Sequence, residues 1–206
     1  MDDRLYLDVN RFARATPWAH TALGAYALWG GLVLLAALLA GGWLLARTRP
    51  DAPRRCAVAL LAGASTVVAV VLNSQVLSPA VARPRPYVAH PHALVILARS
   101  ADFSFPSDHA IIAGAFAAGL LLLNRALGAV AAVAAVLLAF SRVYAGMHYP
   151  GDVLAGLLAG AAIAVALVLL FRRPVTALLR TVAAGPFRPF VSAAAPPRPD
   201  AARSPR

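Results

Sequence analysis

The sequence predicts an all-α, polytopic membrane bundle, and three observations carry the prediction. Apolar residues make up 61% of the 206 positions and charged residues only 13%. The apolar residues fall in runs long enough to cross a bilayer core of about 30 Å. Hydrocarbon leaves no partner for unpaired backbone groups, so runs of this kind must be helical.

In chain order, residues 5–15 place Leu5, Val9 and Phe12 on one helical face, with Arg4, Asp8, Arg11 and Arg14 elsewhere. This pattern suits a short helix lying at the membrane surface. The first span is expected over 21–46, with Trp18 and Trp43 near its ends, where amphipathic rings prefer to sit. It is too long for a signal-peptide core, and the chain starts with Asp2 and Asp3 rather than a basic region, so this span is expected to be retained. The second span is expected over 56–77. A long polar segment, 78–106, separates it from a third at 107–123. Asn124 and Arg125 form a turn into a fourth at 126–140, and a loop with Gly146, Pro150 and Gly151 leads to a fifth at 153–171. Residues 172–185 read as an interfacial helix. The membrane-embedded domain is therefore 1–185, and 186–206, rich in Pro, Arg and Ala, reads as a disordered cytoplasmic tail.

The net charge is +11, and all 19 basic residues are arginine. They cluster at span ends, which points to topology and anionic headgroups rather than nucleic acid. Five spans put the termini on opposite sides. One side collects Arg47, Arg49, Arg54, Arg55, Arg125 and every arginine from Arg172 onward, and the positive-inside rule makes it cytoplasmic. The lone Cys56 excludes an intrachain disulfide. The His90-Pro91-His92 step is too small a set for a metal site, so no metal and no cofactor are expected. Nothing in the spans specifies an oligomeric state.

Three polar segments end apolar runs on the extracytoplasmic side: Arg83-Pro84-Arg85-Pro86, Pro106-Ser107-Asp108-His109, and Ser141-Arg142 with His148 and Asp152. Ionisable groups beside membrane segments are expensive and mark function. Guanidinium pairs with phosphate oxygens through parallel hydrogen bonds, which makes Arg85 and Arg142 candidate phosphate ligands. Ser107 and the first N–H groups of its helix favour an anion. The Asp108 carboxylate would repel one, so its side chain is expected to point away. His109, on the first turn, suits a general acid. His148 and Asp152 are four apart. A carboxylate on one ring nitrogen leaves the other nucleophilic, able to attack phosphorus and form a phosphohistidine.

Together these residues resemble the type 2 phosphatidic acid phosphatase family, whose pattern is Lys, six residues, Arg-Pro; then Pro-Ser-Gly-His; then Ser-Arg, five residues, His, three residues, Asp. The resemblance covers about 78–152, and the third part is complete. It implies a haloperoxidase-like helical core. Arg85, Arg142 and Ser107 would bind phosphate, His109 would be general acid, His148 nucleophile and Asp152 its orienting partner. The family's lysine is Ser78 here, with Arg83 the nearest substitute in sequence, and its glycine is Asp108. Both departures resemble the undecaprenyl-diphosphate phosphatase branch, associated with cell-wall carrier recycling and bacitracin resistance. The resemblance implies a lipid diphosphate substrate hydrolysed at the outer leaflet. Phosphatidic acid or phosphatidylglycerophosphate is the alternative substrate, and an inactive lipid-binding or transport protein the alternative of another class.

Overall fold

A computed structural model describes residues 1–193, and all regular structure among them is helical. Helix α1 is Asp2–Ala15. Helix α2 is the continuous segment Pro17–Arg47, with a π-helical turn at Tyr26–Gly30. Helix α3, Ala52–Leu72, is prolonged by a second π turn, Asn73–Leu77, and by Ser78–Val81, where left-handed Ala82 stops it. Helices α4, α5 and α6 are Asp108–Leu123, Arg125–Tyr144 and Pro150–Ala184.

Local chemistry sets the later boundaries. The Asn124 side chain caps α5 by accepting from the N–H groups of Ala126 and Leu127, at 2.9 and 3.1 Å. Pro150 opens α6, where its missing N–H costs nothing. The Asp152 carboxylate accepts from the Tyr149 N–H at 2.9 Å, closing the first turn. Ser107 precedes α4, but its side chain makes no capping bond.

Among the described residues, four segments are long and apolar enough to cross a membrane: Pro17–Arg47, Ala52–Ala89, Arg125–Tyr144 and Pro150–Ala184. The expected third span, α4, has 16 residues and rises only about 24 Å. It is the central helix, buried along Ala110, Ile111, Ala113 and Leu120, so it need not match the hydrocarbon thickness itself. Residues such as Val133, Val136, Leu158 and Leu170 point outward and stay exposed, as lipid-facing side chains do.

Packing of α4 against α6 depends on small residues, which let helix backbones approach in a membrane. A Cβ on Gly156 would lie 2.8 Å from the Ser107 carbonyl. One on Gly160 would collide with the Ile111 carbonyl, and one on Gly114 with that of Leu157. This contact brings the start of α4 against the start of α6.

Helix α1 lies across the same end of the bundle. It buries Tyr6, Asn10 and Ala13 and leaves Leu5 and Phe12 outside. Asn10 holds the backbone of Leu94 from both sides, donating to its carbonyl at 2.7 Å and accepting from its N–H at 3.0 Å. The segment around Leu94 packs on Gly146, whose φ of +79° and close carbonyl neighbour exclude other residues.

Two expectations change near the C-terminus. Residues 172–184 do not form a separate interfacial helix but continue α6 without a break. Disorder from residue 186 is not met over 186–193. Arg188–Val191 is helical, Val191 is buried, its carbonyl accepts from the Cys56 thiol, and the Ala193 N–H donates to the Arg47 carbonyl at 2.8 Å. The rest of that tail, 194–206, lies outside the described residues.

Gly160→Leu is expected to destabilise the protein by about 1–3 kcal/mol or more, because it overpacks a backbone-to-backbone contact. Thermal unfolding in detergent checks this, and an unchanged midpoint would contradict the packing described.

Candidate functional site

The three polar segments converge, although Arg85 and His148 are 63 positions apart in the chain. They meet at a cavity of about 550 Å³ enclosed by the ends of α3, α4 and α5, the π turn of α2 and the loop that follows α3.

His148 sits in the loop before α6 and is 2% exposed. Its Nδ1 lies 2.8 Å from the Ser104 carbonyl and so must carry the proton and donate. Its Nε2 is left as an acceptor. It faces two guanidinium groups, Arg85 Nη1 at 3.1 Å and Arg142 Nη2 at 3.4 Å. Burial, and then the charges of Arg142 and Arg85, hold its pKa well below the ordinary 6.5, so the ring stays neutral and nucleophilic.

Each arginine is anchored from behind. Arg85 donates to the Met147 carbonyl at 3.0 Å and from Nη2 to the Asp102 carboxylate at 2.8 Å. Burial raises the pKa of Asp102, but hydrogen bonds from Ser100 and Arg85 outweigh it and keep the carboxyl ionised. Arg142, in the last turn of α5, donates to the Ala27 carbonyl at 3.3 Å. His109 reaches the next carbonyl, Leu28, at 3.1 Å. Both carbonyls belong to the π turn of α2, where the hydrogen-bond register is interrupted.

Asp152 differs from its expected role. Its Oδ2 is 3.9 Å from His148 Nδ1, beyond hydrogen-bond reach. The bond to Nδ1 is made by Ser104 instead. Ser104 donates its hydroxyl to Asp152 at 2.5 Å, so the carboxylate holds the histidine through one intervening residue. Nothing in the three motifs singles out Ser104. Its only sequence signal is its place two residues before Pro106.

Arg83 also departs from expectation. Its guanidinium is not at the cavity but bridges Asp152 at 2.7 Å and Asp2 at 2.8 Å, and lies over the Tyr149 ring. Asp152 is fully buried and attracts the nearest cation, so Arg83 is consumed as its partner and does not replace the family lysine. Ser78, at the lysine position, does line the cavity, and Arg85 and Arg142 are the lining cations among the described residues. Asp108 lines the cavity too, with its carboxylate bonded to Asn73 at 2.6 Å. Asn73 belongs to the second π turn and was not singled out by sequence. Ser107 is wholly buried, with its N–H on the Asp152 carbonyl at 3.2 Å and its Oγ without a partner. His90 is engaged by Asp3 at 3.1 Å, away from the cavity.

Two hydrogen-bonded guanidinium groups beside one unprotonated imidazole nitrogen can bind a phosphoryl group and deliver a nucleophile to it. Known proteins agree with that chemistry. The chain is 35% identical over 127 residues to "Undecaprenyl-diphosphatase BcrC" of Bacillus subtilis, covering 61% of this chain and 62% of that protein. It is 37% identical over 112 residues to "Lipid A 1-phosphatase" of Rhizobium johnstonii, covering 52% and 46%. The chain thus spans less than two thirds of the length of either relative. A solved structure of a transmembrane PAP2 type phosphatidylglycerolphosphate phosphatase from Bacillus subtilis shares the fold, with a TM-score of 0.56 at 22% identity, over 82% of this chain and 87% of that one. The family model described as "PAP2 superfamily" matches residues 57–175, more than half of the chain and both histidines of the site, and the chain belongs to that superfamily.

Proposed function

We propose that this multi-pass membrane protein is a lipid phosphatase that hydrolyses undecaprenyl diphosphate to undecaprenyl phosphate and phosphate. The observation that carries the reading is the His148 ring: neutral, fixed in one tautomer, with Nε2 between Arg85 and Arg142. The substrate is inferred from the relative named "Undecaprenyl-diphosphatase BcrC" and from the match of Asp108 and Ser78 to that branch.

The terminal phosphate binds between Arg85 and Arg142. Arg142 Nε and Ser107 Oγ, buried without partners, are polar atoms that its oxygens can satisfy. His148 Nε2 attacks phosphorus while the bond to the bridging oxygen breaks. His109 keeps one ring N–H on the Leu28 carbonyl, and the negative diphosphate favours its imidazolium form, which puts a proton on the other nitrogen. That proton goes to the leaving oxygen. A water, deprotonated by His109, then cleaves the phosphohistidine and frees phosphate. The arginines supply the positive charge, so no step needs a metal or cofactor. The cavity is far too small for an undecaprenyl chain. Leu28, Leu97 and Phe103 on its wall suit the first isoprene units, and the remainder stays in the bilayer.

The arginine distribution supports an extracytoplasmic site. Arg47, Arg54, Arg55 and Arg125 lie at the helix ends opposite His148, and α1 and the loop after α3 lie at its own end.

His148→Ala is expected to abolish turnover and an acid-labile phosphoenzyme in purified protein supplied separately with undecaprenyl diphosphate and phosphatidic acid. Full activity in that variant would overturn the mechanism, and preference for phosphatidic acid would move the substrate assignment. Ser104→Ala keeps the carbonyl on His148 and removes the hydroxyl from Asp152. It is expected to lower kcat about tenfold with KM unchanged, the loss of about 1.5 kcal/mol from one bond to a charged group. An imidazole of pKa 6.5 would lose about nine-tenths of its neutral form between pH 7.5 and pH 5.5. The lowered pKa of His148 leaves it neutral through that window, so phosphoenzyme formation should fall far less than tenfold in a single-turnover assay. His92→Cys should react with a membrane-impermeant maleimide in intact cells and Arg49→Cys should not; the reverse pattern would invert the orientation.

A further inference from the structure

At the other end of the bundle, about 30 Å along α6 from Asp152, two adjoining cavities share Arg54 and Arg172. One, of about 360 Å³, is lined by Arg54 from the start of α3 and by Arg172, Arg173, Thr176 and Arg180 from α6. The other, of about 220 Å³, lies between α3, α4 and α6, and its walls include Val58, Leu122 and Leu169. The arginines of α6 repeat with the helix: Arg172, Thr176 and Arg180 follow one another at every fourth residue and face Arg54.

The cluster has little internal compensation. Asp51 is the acidic residue lining these cavities, and its carboxylate is held by Arg55 at 2.6 Å. None of Arg54, Arg172, Arg173 or Arg180 has a side-chain hydrogen bond or ion pair among the described residues. A flank that only set topology would need positive charge near the headgroups, with no requirement that four guanidinium groups from two helices surround one space. Guanidinium matches phosphate oxygens through paired hydrogen bonds. The groove that opens from the same arginines carries Val58, Leu122, Leu123, Val168 and Leu169 on its wall, the apolar surface that an acyl chain attached to that phosphate requires.

We propose that this is a binding site for an anionic phospholipid, with its phosphate among Arg54, Arg172 and Arg180 and an acyl chain along Val58, Leu122 and Leu169. The site is separate from the catalytic cavity and shares no residue with it. Bound lipid would pin the end of α6 to the start of α3, beneath the helix that carries His109.

The test is native mass spectrometry of the full chain with phosphatidylglycerol, with phosphatidylcholine and with inorganic phosphate. Wild type should retain phosphatidylglycerol over phosphatidylcholine, and the variant combining Arg54→Gln, Arg172→Gln and Arg180→Gln should bind it about tenfold or more weakly. Arg85→Gln, at the catalytic cavity, should retain it as wild type does. Equal retention by the triple variant, equal retention of phosphatidylcholine, loss in Arg85→Gln, or displacement by equimolar inorganic phosphate would each overturn the proposal. Should the triple variant not fold, the wild type decides alone: its unfolding midpoint must rise with phosphatidylglycerol and not with phosphatidylcholine, and no difference between the two lipids overturns the site.

Discussion

The buried carboxylate of Asp152 organises the end of the bundle that carries His148. A carboxylate with no solvent exposure is costly unless it is paired and hydrogen-bonded. Asp152 meets that demand with Arg83, the Ser104 hydroxyl and the Tyr149 N–H. These partners come from the loop after α3, the segment before α4 and the turn before α6. Satisfying one charge therefore ties three distant pieces of chain together, and the Ser107 N–H on the Asp152 carbonyl adds the start of α4. The carboxylate also fixes the tautomer of His148 without touching it, because the residue whose hydroxyl it holds presents the carbonyl that accepts from Nδ1.

The two cations beside His148 pose the opposite problem. Arg85 and Arg142 are each about 5% exposed, and both approach the same nitrogen, His148 Nε2. Like charges held this close repel, and the fold opposes that repulsion with acceptors behind each guanidinium. Asp102 and the Met147 carbonyl serve Arg85, and a carbonyl of the α2 π turn serves Arg142. The second π turn supplies Asn73, which draws the Asp108 carboxylate to itself. Both interruptions of helical register fall at the site, where backbone and side-chain polar groups are needed at positions a regular α-helix would not offer.

The α4–α6 glycine contact makes this arrangement possible. His109 and Ser107 open α4, and Asp152 opens α6, so the distance between the two helix starts decides whether their polar groups share one site. Bulky residues at Gly156 and Gly160 would hold the backbones apart. The short length of α4 follows from the same logic, since a helix enclosed by others needs no hydrocarbon match and can begin at the depth of the cavity.

The helical class, four of the five expected spans, the N-terminal helix and the converging motifs were legible in the chain, because apolar run length and the cost of charge beside a membrane act on local sequence. His148, His109, Arg85 and Arg142 were legible as one group through the order and spacing of the three motifs, whereas Arg85 alone reads as a positive membrane flank. What the sequence could not determine was how charges pair once buried. Arg83 and Arg85 are two positions apart and alike in type, yet one neutralises Asp152 and the other faces His148. Ser104 and Asn73 look like ordinary polar residues until the fold places them beside a carboxylate. Only the tertiary structure decided these assignments, because the partner of a buried charge is set by three-dimensional distance and desolvation, and neither is encoded in the spacing along the chain.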